Sequence, residues 1–88
     1  MGELQKLRNR IDEIDYQIIE LLSKRNYISK EVGEYKRKHN LDGEDIKRFD
    51  SMLFNRISYA DDLGIDSLFI KRLFSVVHAN SLDIIKSV

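Results

Sequence analysis

At 88 residues the chain is one domain near the lower limit of independent folding, so a second copy of itself is the expected source of further buried surface. Its composition, 42% apolar and 34% charged, is that of a globular chain rather than a disordered one. Fifteen Lys and Arg balance fifteen Asp and Glu, and a net charge of zero argues against a nucleic-acid surface, which needs a basic excess.

The first segment carries the strongest pattern. Leu4, Leu7, Ile11, Ile14, Ile18, Leu21, Ile28, Val32 and Tyr35 recur at alternating steps of three and four, provided position 25 is counted in the series. That heptad seam cannot come from a strand and predicts one helix from about Glu3 to His39, roughly 55 Å long. Gly33 lies inside it at a cost of about 1 kcal/mol against alanine, which points to a close packing contact. Asn40, Leu41, Asp42 and Gly43 form the first predicted break. A second helix is expected from Asp45 to Asp62, with Ile46, Phe49, Leu53, Ile57 and Ala60 near one face. Gly64 is the expected stop, and Asp66 or Ser67 the N-cap of a third helix rich in Leu, Phe, Val and Ile. Helices two and three are each about half as long as the first and cannot cover all of its seam. The expectation is therefore an all-α, intertwined homodimer in which helix one packs on its symmetry mate.

Position 25 breaks the seam. An apolar residue is required there and Arg25 is present, which is expensive unless an anion meets it. Lys36 lies eleven residues on and returns to within about 20° of the same face, roughly 16 Å along the helix. Arg8 sits about 100° around the helix from Arg25 and cannot join that pair within one chain. If two copies of helix one cross antiparallel near residues 19 and 20, the partner's Arg8 comes level with positions 30 to 32, between Arg25 and Lys36. Arg48 adds a cation from helix two. Taken singly, each of these has an ordinary reading, a snorkelling arginine or a solvated lysine. Their joint placement is what favours a site for a small polyanion, and periodicity alone leaves the two readings equally open. Asp12, Glu13 and Asp15 read as a solvated acidic face. His39 and His78 have no partners at metal-ligand spacing and read as structural, so no metal is expected. Cysteine is absent, which excludes disulfide and thiolate chemistry. The N-terminus has no apolar signal core and no stretch approaches the ~18 apolar residues of a membrane span, so a cytoplasmic protein without membrane contact is expected.

These residues carry a family resemblance. Leu7, Arg8, Ile11, Asp12 and Asp15, then Leu21, Leu22 and Arg25, then Val32, Gly33 and Lys36 resemble helix one of the all-α chorismate mutases. Asp45 and Arg48 resemble the start of their second helix, and Leu73, Phe74 and Ser81 their third; the similarity runs nearly the whole chain. It implies rearrangement of chorismate to prephenate, a unimolecular step without a cofactor. By the same resemblance Arg25 and the partner chain's Arg8 would hold two substrate carboxylates. Lys36 would donate to the ether oxygen, Asp45 and Arg48 would close the site, and Ser81 would line it. A partner or fused shikimate-pathway enzyme is a further implication.

Two positions depart from the family. Phe49 stands where a glutamate usually accepts from the substrate's ring hydroxyl, and Ile85 where glutamine or glutamate usually assists Lys36. Losing one such donor typically costs ~10²–10³ in rate. The departures keep two alternatives in view. One is an isochorismate pyruvate-lyase of the same fold, in which an apolar residue can replace that glutamate. The other is a non-catalytic dimeric regulatory or interaction module.

Overall fold

The computed structural model of the chain describes residues 2–41 and 46–88, and there it is all-helical, with α1 (Glu3–Lys38), α2 (Ile46–Asp62) and α3 (Ser67–Ser87). None of these helices is long and apolar enough to cross a membrane.

Each visible helix end has a local cause. α1 stops one residue short of the predicted end, with His39 as its C-cap. Asn40 then takes a left-handed conformation (φ 53°), its N–H reaching the Arg37 carbonyl at 3.4 Å and that of Leu41 the Lys36 carbonyl at 2.8 Å. This is a Schellman closure, built on asparagine, which tolerates the left-handed region better than most residues. The predicted break at Gly43 and the predicted start at Asp45 both lie outside the described residues. α2 ends by the same device. Gly64 (φ 75°) donates to the Asp61 carbonyl at 3.0 Å and Ile65 to the Ala60 carbonyl at 2.9 Å. Here glycine is required by the backbone angle. Of the two predicted caps for α3, Asp66 is the one used: its carboxylate accepts from the Phe69 N–H at 2.9 Å.

α3 packs against both α1 and α2, while α1 and α2 nowhere approach closely along their described backbones. α3 runs parallel to the C-terminal part of α1. Asn80 donates to Asn26 at 2.8 Å, Ser29 to Ser81 at 3.2 Å, and Gly33 lies buried against Ile85 and Val88. Met52, Ala60 and Ile70 form the buried apolar core between α2 and α3. The N-terminal two-thirds of α1 receives no such cover. Leu4, Leu7, Ile11, Ile14, Ile18 and Leu21 are each between 41% and 62% exposed, a contiguous apolar stripe of the kind that marks an interaction surface.

The glycine inside α1 is explained by this packing. A Cβ at position 33 would sit 2.7 Å from the Ile85 carbonyl oxygen and 2.9 Å from Val88 Cγ2. The first is backbone and cannot rotate away. Gly33→Ala is therefore expected to destabilise the fold by about 1–3 kcal/mol, although the same change favours an isolated helix by about 1 kcal/mol. Thermal or urea unfolding at fixed protein concentration measures the sign; a more stable alanine variant would refute the contact.

Candidate active site

The C-terminal part of α1, the face of α2 and the second half of α3 enclose a cavity of about 380 Å³, within the range of small-molecule sites, roughly 300–1,000 Å³. Its walls are apolar: Val32 from α1, Met52 from α2, Leu82 and Ile85 from α3. Into it come four cations, Arg25 and Lys36 from α1 and Arg48 and Arg56 from α2, with no carboxylate among the described lining residues.

Arg25 is the centre of this arrangement. It is half-buried, and its guanidinium donates to the hydroxyl of Ser81, a buried residue of α3 that also accepts from Ser29. The two serines thus place an acceptor where a helix seam would otherwise bury an arginine unpaired. Its proton affinity is nonetheless lowered, first by burial and then by the charges of Arg56 and Arg48. All three causes act in one direction, as they do where a cation lacks a compensating anion.

The geometry sorts the residues singled out from the sequence. Arg25, Lys36, Arg48, Phe49 and Ile85 line one cavity, and Ser81 is joined to it through Arg25. Arg8 is not among the lining residues. It stands seventeen residues before Arg25 on the same continuous helix, about 25 Å along the axis. Asp45 lies outside the described residues. His78, read as structural, stands on the cavity wall with its ring stacked on Phe49 at 4.1 Å between centroids. His39 does stay structural, capping α1 with its ring 4.3 Å from that of Tyr35. Sequence reasoning missed Ser29 and Arg56. Ser29 carried a weak signal, one turn beyond Arg25. Arg56 carried none that the sequence alone could show, because only the burial of Met52 and Ala60, four residues to either side of it, marks its row as an inward one.

Removing the shared acceptor should expose the coupling. Ser81→Ala is expected to lower stability by about 1 kcal/mol. The Ser29→Ala, Ser81→Ala double variant should lose less than the sum of the singles, because one interaction is counted in both. Strict additivity in urea unfolding would contradict the shared hydrogen bond.

Comparison with known proteins fits this arrangement. A model of the family described as chorismate mutase type II matches residues 7–86. Over 65 residues the chain is 38% identical to the T-protein of Enterobacter agglomerans, covering 74% of this chain and 17% of that protein. It is 32% identical over 74 residues to a 4-amino-4-deoxychorismate mutase of Streptomyces pristinaespiralis, covering 84% of this chain and 57% of that one. A shorter match, 49% over 41 residues, links 47% of the chain to 11% of a bifunctional chorismate mutase/prephenate dehydratase of Aquifex aeolicus (strain VF5). The chain thus spans from about a tenth to rather more than half the length of these relatives. By a match that covers all but its first six and last two residues, this chain belongs to the chorismate mutase type II family.

Proposed function

We propose that the cavity rearranges chorismate to prephenate and that two copies of the chain complete each site. The observation that carries this reading is the convergence of Arg25, Lys36 and Arg48 on one apolar-walled cavity. A dicarboxylate held between such cations has its enolpyruvyl side chain folded over the ring, and holding that reactive conformer is most of what a unimolecular rearrangement needs. Lys36 meets the charge that develops on the breaking ether oxygen. The apolar walls strengthen its field by keeping water away. Family membership supports the same reaction.

The second copy follows from the exposed stripe on α1. Pairing that stripe with its symmetry mate buries Leu4 to Leu21 and brings the partner's Arg8 level with the gap between Arg25 and Lys36. In this assembly Arg25 and the partner's Arg8 take the two carboxylates, Arg48 and Asp45 close the site, and Ser81 fixes Arg25. Relatives that join this domain to a longer chain, one of them named for prephenate dehydratase as well, support a partner enzyme that consumes prephenate.

Phe49 and Ile85 favour a second reading. Both are apolar where a ring hydroxyl and an ether oxygen would find polar partners, and Phe49 is committed to its stack on His78. A lyase acting on isochorismate places its ring hydroxyl elsewhere and tolerates the first of these. The relative named for 4-amino-4-deoxychorismate sets a third substrate beside them. An ammonium on the ring would face a cavity already lined by four cations, so chorismate is the expected choice.

Purified chain supplied separately with chorismate, isochorismate and 4-amino-4-deoxychorismate, with products identified, tests the reaction. Prephenate from chorismate is the expected result, and pyruvate with salicylate from isochorismate would replace the mutase by the lyase. Ile85→Gln should raise mutase kcat by roughly tenfold or more by returning a donor beside Lys36. Arg8→Ala should remain a folded dimer yet lose substrate binding. Mixed one to one with Arg25→Ala, it should regain about a quarter of wild-type sites, because half the dimers are mixed and each has one intact site. A mixture that stays silent would refute the cross-chain site.

A further inference from the structure

We infer that Arg56 is a substrate-binding residue of this cavity, gripping one substrate carboxylate from α2 opposite Arg25. The inference rests on the anion-binding reading of the cavity proposed above and adds to it a residue outside the cation set of Arg8, Arg25, Lys36 and Arg48.

Three observations carry it. The first is the placing of Arg56 in its own helix. Met52, Arg56 and Ala60 are spaced by four on α2, and Met52 and Ala60 are only 5% and 4% exposed. The position between them is one where an apolar residue would extend the core. An arginine there interrupts the buried row on α2 as Arg25 interrupts the seam on α1, although Arg56 itself keeps its exposure to solvent. The second is that Arg56 lines the same cavity as Arg25, with solvent on its other side, so its guanidinium stands at the mouth rather than in the packed interior. The third is electrostatic. Arg56 ranks ahead of Arg48 among the charges that lower the proton affinity of Arg25, so the two guanidiniums act on each other across the cavity. Two like charges held this way repel in the empty protein and share one anion in the occupied one. Arginine suits the task, since its planar fork matches a carboxylate with two parallel N–H donors.

The arrangement also accounts for how α2 shares the site with α1 although their described backbones stay apart. The described backbones of the two helices do not approach closely, and the cavity lies between them. An anion bridging Arg25 and Arg56 would link α1 to α2 across the cavity.

The test compares Arg56→Gln, Arg56→Lys and Arg56→Leu with Arg25→Gln and with Arg72→Gln, a surface control on α3. Steady-state kinetics with chorismate are read alongside NMR titration with prephenate, which reports binding independently of turnover. Arg56→Gln is expected to raise KM for chorismate and weaken prephenate binding by roughly tenfold to a hundredfold, the usual effect of losing a charged hydrogen bond. Its kcat should fall far less, because the contact is made in ground and transition states alike. Arg56→Lys should recover part of the binding, and Arg72→Gln should match wild type. Arg56→Leu should melt at the same or a higher temperature while binding as poorly as Arg56→Gln, since leucine continues the apolar row and removes a repulsion. A leucine or glutamine variant that binds prephenate normally, while Arg25→Gln does not, would overturn the role of Arg56 and leave the anion site standing. A wild-type chain that binds neither chorismate nor prephenate would overturn both.

Discussion

Helix length is the constraint from which the rest follows. α1 has 36 residues and rises about 54 Å, whereas α2 with 17 and α3 with 21 reach only about 26 and 32 Å. The contacts through Asn26, Ser29 and Gly33 set α3 along the C-terminal part of α1. The two short helices therefore build a cavity at one end and leave the other end of α1 as a bare apolar stripe. One chain cannot do both. Covering Leu4 to Ile14 would need α3 to leave Gly33, where its backbone fits against a residue without a side chain. The N-terminal stripe and the distance of Arg8 from the cavity are two results of one mismatch, and the symmetric partner proposed above would resolve both at once.

The cavity inverts the usual rule for buried charge. Arg25 lies on a helix seam, partly removed from water, with Arg56 and Arg48 adding repulsion. Ser81 meets part of the demand, and it can do so because a hydroxyl accepts from Arg25 and from Ser29 while keeping a proton of its own to donate. A neutral acceptor does not cancel a charge, however. What remains is a preorganised need for an anion, held in place by the same packing that stabilises the fold. Sites of this kind are stability given up for binding.

Much of this was legible in the sequence, and the illegible parts have physical reasons. The helices were readable because heptad spacing, Gly64 and Asp66 are local signals that tertiary context had no cause to override. Arg25 was readable because it interrupts a regular series. Arg56 was hidden because the apolar face of α2 is broad: Leu53 and Ile57 complete an equally good stripe beside Met52 and Ala60, and only packing shows which row faces the cavity. The stacking partner of His78 was hidden because it depends on α2 folding back over α3, which brings Phe49 to it. The end of α1 was legible to within one residue, but which residue of the break takes the left-handed conformation was not: Asn40 closes the helix.

The apolar substitutions at the site acquire a consequence once the cations are in place. Charged groups that hold carboxylates act equally on substrate and transition state, because the carboxylates do not change during the rearrangement. Such uniform binding lowers KM and leaves kcat untouched. Rate comes from groups that respond to charge developing at the ether oxygen, and on the proposed reading Lys36 stands there beside Ile85 rather than beside a second donor. Ile85 excludes water and so strengthens the field of Lys36, but it cannot supply a hydrogen bond. Arg56 would add to the term that binds, not to the term that accelerates. On that reading the site is weighted toward holding its ligand over transforming it, and a mutase built this way would combine firm substrate binding with slow turnover.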